Sequence, residues 1–163
     1  MQKITPFLWF DNNAEEAAMF YTSVFKEAKL GKMVRYGDAV PALKGQVLTA
    51  SLELFGQEYT LLNGGPKFKF TEAVSFVIHC DSQEEVDYYW EQLTSGGGEE
   101  SMCGWLKDKF GLSWQVVPNQ LIRMLSDTDG GKSSKVMQAM MQMRKIDIPT
   151  LEKAYKEETA VTV

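Results

Sequence analysis

Histidine is almost missing from this chain: His79 stands alone among 163 residues, and cysteine is limited to Cys80 and Cys103. The two thiols form no C-x-x-C pair and stand at no metal spacing from a histidine, so in a reducing compartment they are read as free. Basic clusters are missing too. The formal net charge is −5 and the lysines are scattered, as at Lys67 and Lys69, which leaves no electrostatic footprint for nucleic acid. No apolar run approaches the length of a membrane span, and the opening MQKITPFLWFDNN has neither a long apolar stretch nor a small-residue cleavage site. A cytoplasmic location with no nucleic-acid and no membrane partner is therefore expected. What the chain does have is apolar mass, 44% hydrophobic and 12% aromatic residues, enough to bury a sizeable core in one unit.

It also repeats itself. FLWFDNNAEEAAMFY (7–21) lies over FVIHCDSQEEVDYYW (76–90) at an offset of 69, placing Phe7 on Phe76, Glu15 and Glu16 on Glu84 and Glu85, and Phe20 and Tyr21 on Tyr89 and Trp90. FGQEYTLLN (55–63) lies over FGLSWQVVP (110–118) at an offset of 55, placing Tyr59 on Trp114 and Leu61 and Leu62 on Val116 and Val117. Two half-size copies in the same order predict a fold of paired modules, with a pocket expected where their sheets meet.

Each copy reads as βαβββ. In the first, a strand over 4–10 precedes a helix over 14–25 that Asn12 or Asn13 can cap, with Ala17, Phe20, Tyr21 and Val24 at helical spacing. Strands over 31–36, 47–54 and 58–62 follow, the last two joined by a tight turn at Gly56-Gln57. In the second, a strand over 73–80 and a helix over 83–93, capped by Asp81 or Ser82, lead through Gly96-Gly97-Gly98 to short strands over 99–103 and 104–107 and a last strand over 112–117. Beyond Pro118 the pattern turns helical over 119–126, 132–143 and 150–156, where Val136, Met137, Met140, Met141 and Met143 form an apolar face suited to core or subunit contact. The expected organisation is α+β: residues 1–118 as one paired-module domain (1–65 and 66–118), and 119–163 as a C-terminal helical extension.

At these residues the chain resembles a known family. The paired modules are similar to those of the glyoxalase, bleomycin-resistance and extradiol-dioxygenase superfamily, also called vicinal oxygen chelate. Within it, LNGGPKFKFTEAVSF (62–76), CGWLKDKFGLSWQVVP (103–118) and VMQAMMQMRKIDIPTLEKAY (136–155) resemble the PhnB-like branch, over nearly the whole chain. Members of that branch are often labelled 3-demethylubiquinone-9 3-methyltransferase. A methyltransferase of the common type places a glycine-rich turn directly after a strand and opening a helix. Here Gly96-Gly97-Gly98 follows a helix and Asn63-Gly64-Gly65-Pro66 leads toward a strand, so both read as turns.

The resemblance also implies a divalent metal, held by His, Glu or Gln from the first and last strand of each module. Carried onto this chain, those positions fall at or within a residue or two of Pro6 and at Thr60, Ser75 and Gln115, of which only Gln115 ligates well. Shifting the first-strand alignment brings in Ile4, Thr5, Ala73 or Val74, none a strong ligand. No metal and no cofactor is expected. A His and a Glu that the branch often carries in its third strand align with Thr49 and Ser51, which removes the obvious acid–base pair.

Several side chains remain as candidates. Alternation puts His79 on the face of Ser75 and Val77, where it reads either as a general base or as a surface strand-end histidine. Glu53 and Glu58 are carboxylates on strands whose exposed faces also favour Glu. CGWLKDKFGLSWQ (103–115) concentrates a thiol, two indoles, a Lys-Asp-Lys turn and an amide. Alternation sets Ser113, Gln115 and Val117 on one face and Leu112, Trp114 and Val116 on the other, leaving Trp114 for the core and Trp105 as the ligand-contacting indole. Asp108-Lys109-Phe110-Gly111 reads as a β-turn. Cys103 is a nucleophile only if a cation lowers its pKa, and Lys107 is the neighbour able to do so; otherwise it is an inert thiol. The pocket candidates are thus Gln115, Trp105, Cys103, His79, Ser113, Thr60, Ser75 and Lys107, with no catalytic residue assigned. The leading expectation is a homodimer that binds a small apolar or aromatic molecule without a metal. A metal-dependent glyoxalase-like lyase, isomerase or dioxygenase stands as the alternative, and a methyltransferase as a second.

Overall fold

Both copies of the module form where the repeat predicts them, in a computed structural model that describes residues 2–157. The remainder of the predicted extension, 158–163, lies outside the described residues. The first copy runs β1 (Phe7–Phe10), α1 (Ala14–Val24), β2 (Lys29–Arg35), a 3₁₀ turn (Pro41–Leu43), β3 (Val47–Leu54) and β4 (Gln57–Asn63). The second runs β5 (Ser75–Cys80), α2 (Gln83–Thr94), β6 (Glu99–Glu100), β7 (Trp105–Lys107) and β8 (Ser113–Pro118), and continues into α3 (Asn119–Leu125), α4 (Gly130–Met140) and α5 (Ile148–Lys156). The strands form two mixed sheets of matching order, β1-β4-β3-β2 and β5-β8-β7-β6, an α+β fold. In each sheet the module's first and last strands pair in parallel, while the other neighbours run antiparallel. The chain divides into two compact units, Met1–Phe70 and Thr71–Val163.

In the first unit the register sets Leu8, Leu61 and Ala50 in one row, all buried, and α1 buries Ala14, Ala17, Ala18, Tyr21 and Val24 against β3 and β4. Each fully buried large side chain here contributes roughly 1.5–3 kcal/mol of apolar transfer. The motif LNGGPKFKF then clamps β1. Trp9 Nε1 donates to the Gly65 carbonyl at 2.8 Å, Phe68 packs edge-on to Trp9 at 4.9 Å, and Phe70 does the same to Phe10 at 5.1 Å. Gly64 is required by this arrangement, since a Cβ there would lie 2.2 Å from the Trp9 ring.

Four sequence expectations are corrected. β1 starts at Phe7 because Pro6 offers only its carbonyl, which accepts from Thr60 N at 2.9 Å. Asn13 sits at the N-cap of α1 without a side-chain bond; Asn63, buried at the end of β4, supplies the acceptor instead, its Oδ1 taking the Ala14 N–H at 2.8 Å. The hairpin turn is Phe55-Gly56, one residue earlier than expected, because Leu54 pairs with Gln57 and both central residues take positive φ (48° and 80°), as a type I′ turn needs. The first strands also repeat at an offset of 70, with Phe7 opposite Thr60 and Val77 opposite Gln115, while the helices keep 69. Asn12, at φ 62°, is the extra residue that the first copy carries between strand and helix.

In the second unit α2 buries Val86, Tyr89, Trp90 and Leu93, and the sheet buries Ile78, Cys80, Leu106, Trp114 and Val116. Ser82 caps α2 by accepting from Glu85 N at 3.3 Å. The extension belongs to this unit: Leu121, Met124, Val136, Ile146 and Leu151 form its core, with Met140, Met143 and Tyr155 packed against them. The methionine face expected over 136–143 therefore divides, since Met137 and Met141 stay exposed. Asp129 starts α4 at Gly130, ahead of the expected Lys132, by accepting from Gly131 N and Lys132 N. Main-chain bonds stitch the extension down, from Cys103 N to Met143 O and from Gly104 N to Arg144 O, both at 2.8 Å. The Gln83 amide completes the seam, donating to Ile146 O at 3.0 Å and accepting from Ile148 N at 2.8 Å.

Candidate binding face

The second sheet packs one face against α2, and most of the predicted site residues share the opposite face. Gln115 on β8 is flanked in register by Val77 on β5 and Trp105 on β7. One row along, Ser113 is flanked by Ser75 and Lys107. His79, exposed, lies opposite Val117 on the far side of the Gln115 row. Alternation therefore brings Gln115, Trp105, Ser113, Ser75, Lys107 and His79 onto one surface. Gln115 Nε2 donates to Ser75 Oγ at 2.9 Å, which fixes the amide beside the half-buried indole. Val77, 43% exposed, completes an apolar strip. Ser113 is 1% exposed and its Oγ has no hydrogen-bond partner among the described residues. Lys107 bonds Glu72 at 2.5 Å, and that hydrogen bond holds the ammonium above its ordinary range and the carboxylate below its own, so the lysine's charge is already matched.

Two candidates are not on this sheet face. Cys103 sits at φ 58° in the turn before β7, its N–H committed to the extension. Thr60 belongs to the other unit, on β4, flanked by exposed Phe7 and Ser51. Glu53 and Glu58 face each other across β3 and β4, and Glu53 bonds Lys29 at 2.6 Å, a solvated charge pair. Burial pushes the Cys80 thiol up to about 12, with Glu85 and Asp81 adding to the effect.

A conventional metal does not fit these residues. The strand positions where the resemblance implies ligands offer hydroxyls at Thr60 and Ser75 and one amide at Gln115, already bonded to Ser75. Among the described residues no group of three or more His, Cys, Asp or Glu is placed to hold a metal ion. The glycine clusters give no cofactor cradle: Gly96-Gly97-Gly98 joins α2 to β6, and Gly64-Gly65 follows β4 without opening a helix.

The turn read as Asp108-Lys109-Phe110-Gly111 holds more than a turn. Asp108 is 2% exposed; its Oδ1 accepts from Phe110 N at 2.9 Å and Leu112 N at 3.1 Å, and its Oδ2 from Trp114 Nε1 at 2.9 Å. It fixes Trp114 in the core, and through β8 the position of Gln115. The pattern D-x-F-G-L-x-W was a signal for it, since an Asp ahead of a turn and a Trp six residues on need a common partner once both are buried.

The family profile described as 3-demethylubiquinone-9 3-methyltransferase matches residues 2–117. The PhnB protein of Bacillus cereus is 36% identical, over 72% of this chain and 99% of that one, with a TM-score of 0.65. Protein PA1353 of Pseudomonas aeruginosa is 23% identical over 72% and 98%, with a TM-score of 0.60. The fosfomycin resistance protein FosX of Listeria monocytogenes is 17% identical over 77% and 98% at a TM-score of 0.53, a likeness of fold. No curated protein matches the chain.

Proposed function

As the chain belongs to the 3-demethylubiquinone-9 3-methyltransferase family, the PhnB-like branch of the glyoxalase and bleomycin-resistance superfamily, we propose that it binds a small apolar or aromatic molecule on the face of its second sheet opposite α2, without a conventional metal. The observation that carries this reading is the row Val77, Gln115, Trp105. An indole gives a flat apolar surface for stacking, and Gln115, oriented by Ser75, gives one directional polar contact beside it. In the same reading the protein is a cytoplasmic homodimer. Exposed apolar side chains such as Phe7, Val74 and Met141 support the association.

A metal-dependent lyase or dioxygenase is the second reading, favoured by Gln115 at a ligand position. Two measurements separate the two. In a thermal-shift screen of aromatic compounds, hits stabilise the wild type, and Trp105→Ala loses the shift while keeping the unliganded Tm. Elemental analysis after incubation with nickel, zinc, manganese or iron shows no stoichiometric metal. A metal that is retained by the wild type and lost in Gln115→Ala overturns the metal-free reading, and hits indifferent to Trp105→Ala overturn the placement of the ligand.

A further inference from the structure

Four tryptophans stand in the chain, and three of them bond their indole N–H inside the protein. Trp9 Nε1 donates to the Gly65 carbonyl at 2.8 Å, Trp90 Nε1 to Glu100 Oε1 at 2.8 Å, and Trp114 Nε1 to Asp108 Oδ2 at 2.9 Å. The fourth, Trp105, is half-buried, and its Nε1 donates to no acceptor among the described residues. Its neighbour is left over in the opposite sense. Gln115 gives one N–H to Ser75 Oγ, and its Oε1 accepts from no donor among the described residues. Both atoms are within reach of solvent, because the buried side-chain oxygens and nitrogens without a partner there are Ser113 Oγ and Gln120 Oε1.

The two groups are also close. Val116 N donates to Gly104 O at 2.8 Å, which makes Gly104 and Val116 a hydrogen-bonded pair of the β7–β8 ladder. Trp105 and Gln115, the next pair along, are then a non-hydrogen-bonded one, the kind with Cα atoms about 4.5 Å apart and side chains nearest each other. The Ser75 hydroxyl holds the amide from the β5 side. A donor and an acceptor side by side on one face suit a partner with the reverse pair, a C=O beside an N–H. Lys107, one row away, already bonds Glu72, so the pair at Trp105 and Gln115 calls for no ionic group.

Resting on the reading of this face as a small-molecule site, we propose that its ligand is a planar aromatic lactam, a ring system with a cis-amide on one edge. The lactam carbonyl accepts from Trp105 Nε1, the lactam N–H donates to Gln115 Oε1, and the fused ring lies along Val77, 43% exposed. 2-Quinolone has both groups; N-methyl-2-quinolone keeps the carbonyl and lacks the N–H. Titrated into the full chain, 2-quinolone shifts the Trp105 indole N–H signal saturably, that signal being the one of four that is missing in Trp105→Phe. N-methyl-2-quinolone binds about three- to tenfold more weakly. Gln115→Leu weakens 2-quinolone by the same factor and leaves N-methyl-2-quinolone unchanged, whereas Trp105→Phe, which keeps a flat ring, weakens both. If the two compounds bind equally and Gln115→Leu does not separate them, the proposal falls while the face remains a stacking site for aromatic compounds. Absence of any saturable shift of the Trp105 signal by 2-quinolone overturns the proposal as well, and aromatic hits lost in Trp105→Ala still uphold the reading beneath it.

Discussion

Replacing Asp108 with Asn keeps the shape of the side chain and exchanges one acceptor for a donor at a place where three N–H groups converge. If the new amide oxygen keeps Phe110 N and Leu112 N, its NH₂ faces Trp114 Nε1, donor against donor; if it turns round, two main-chain donors lose their acceptor. The milder case removes one hydrogen bond to a charged group and leaves buried donors unmet, roughly 3 kcal/mol in all. Against a total stability of about 5–15 kcal/mol, such a loss is large. Urea unfolding followed by circular dichroism reads it as a lower midpoint with an unchanged slope. Trp114→Phe removes the third donor, so in a double-mutant cycle Asp108→Asn costs less when Trp114→Phe is already present, with a coupling of about 1–3 kcal/mol. A cost for Asp108→Asn below about 0.5 kcal/mol, or no coupling to Trp114, refutes the role given to this carboxylate.

Gly64→Ala places a methyl group 2.2 Å from the Trp9 ring and lowers stability by about 1–3 kcal/mol in the same assay, whereas Gly37→Ala, with open space around it, changes little. In the native protein near pH 8 a thiol reagent modifies Cys103 and spares Cys80, which reacts only on unfolding; equal rates for both refute the burial assigned to Cys80. Because the folded Cys80 thiol is raised from 9.0 to about 12, its contribution to stability is complete below pH 9 and is lost as pH rises from there toward 12. Cys80→Ala flattens that part of the stability–pH curve, as urea titrations at several alkaline pH values will show.

The fold was legible because it is written twice. A period-2 pattern in Leu112 to Val117 was enough to send Trp114 inward and set Gln115 beside Trp105, since the register of a half-buried strand follows its apolar side chains. Boundaries and caps failed where the deciding partner is distant in sequence. Nothing near Asn13 says that Asn63, fifty residues on, supplies the first acceptor of α1. The extra residue Asn12 was invisible to a repeat anchored on glutamates and aromatics, because a left-handed residue absorbs the insertion without moving the helix. Asp108 was read from its turn alone, and its role in the core depends on Trp114 returning to it.

The seam between the extension and the rest of its unit is made mostly of backbone: the carbonyls of Met143, Arg144 and Ile146 and the N–H of Ile148. Peptide groups are the same whatever side chain they carry, so these main-chain bonds do not themselves depend on the side chains at 143 and 144, although Met143 also packs on the core of the extension. Gln83, reading one peptide edge with both halves of its amide, and Gly104, where a Cβ would lie 2.8 Å from the Val116 carbonyl, are committed to their identity. The exposed side chains of the extension can thus drift in sequence while these main-chain bonds to the sheet stay unaltered.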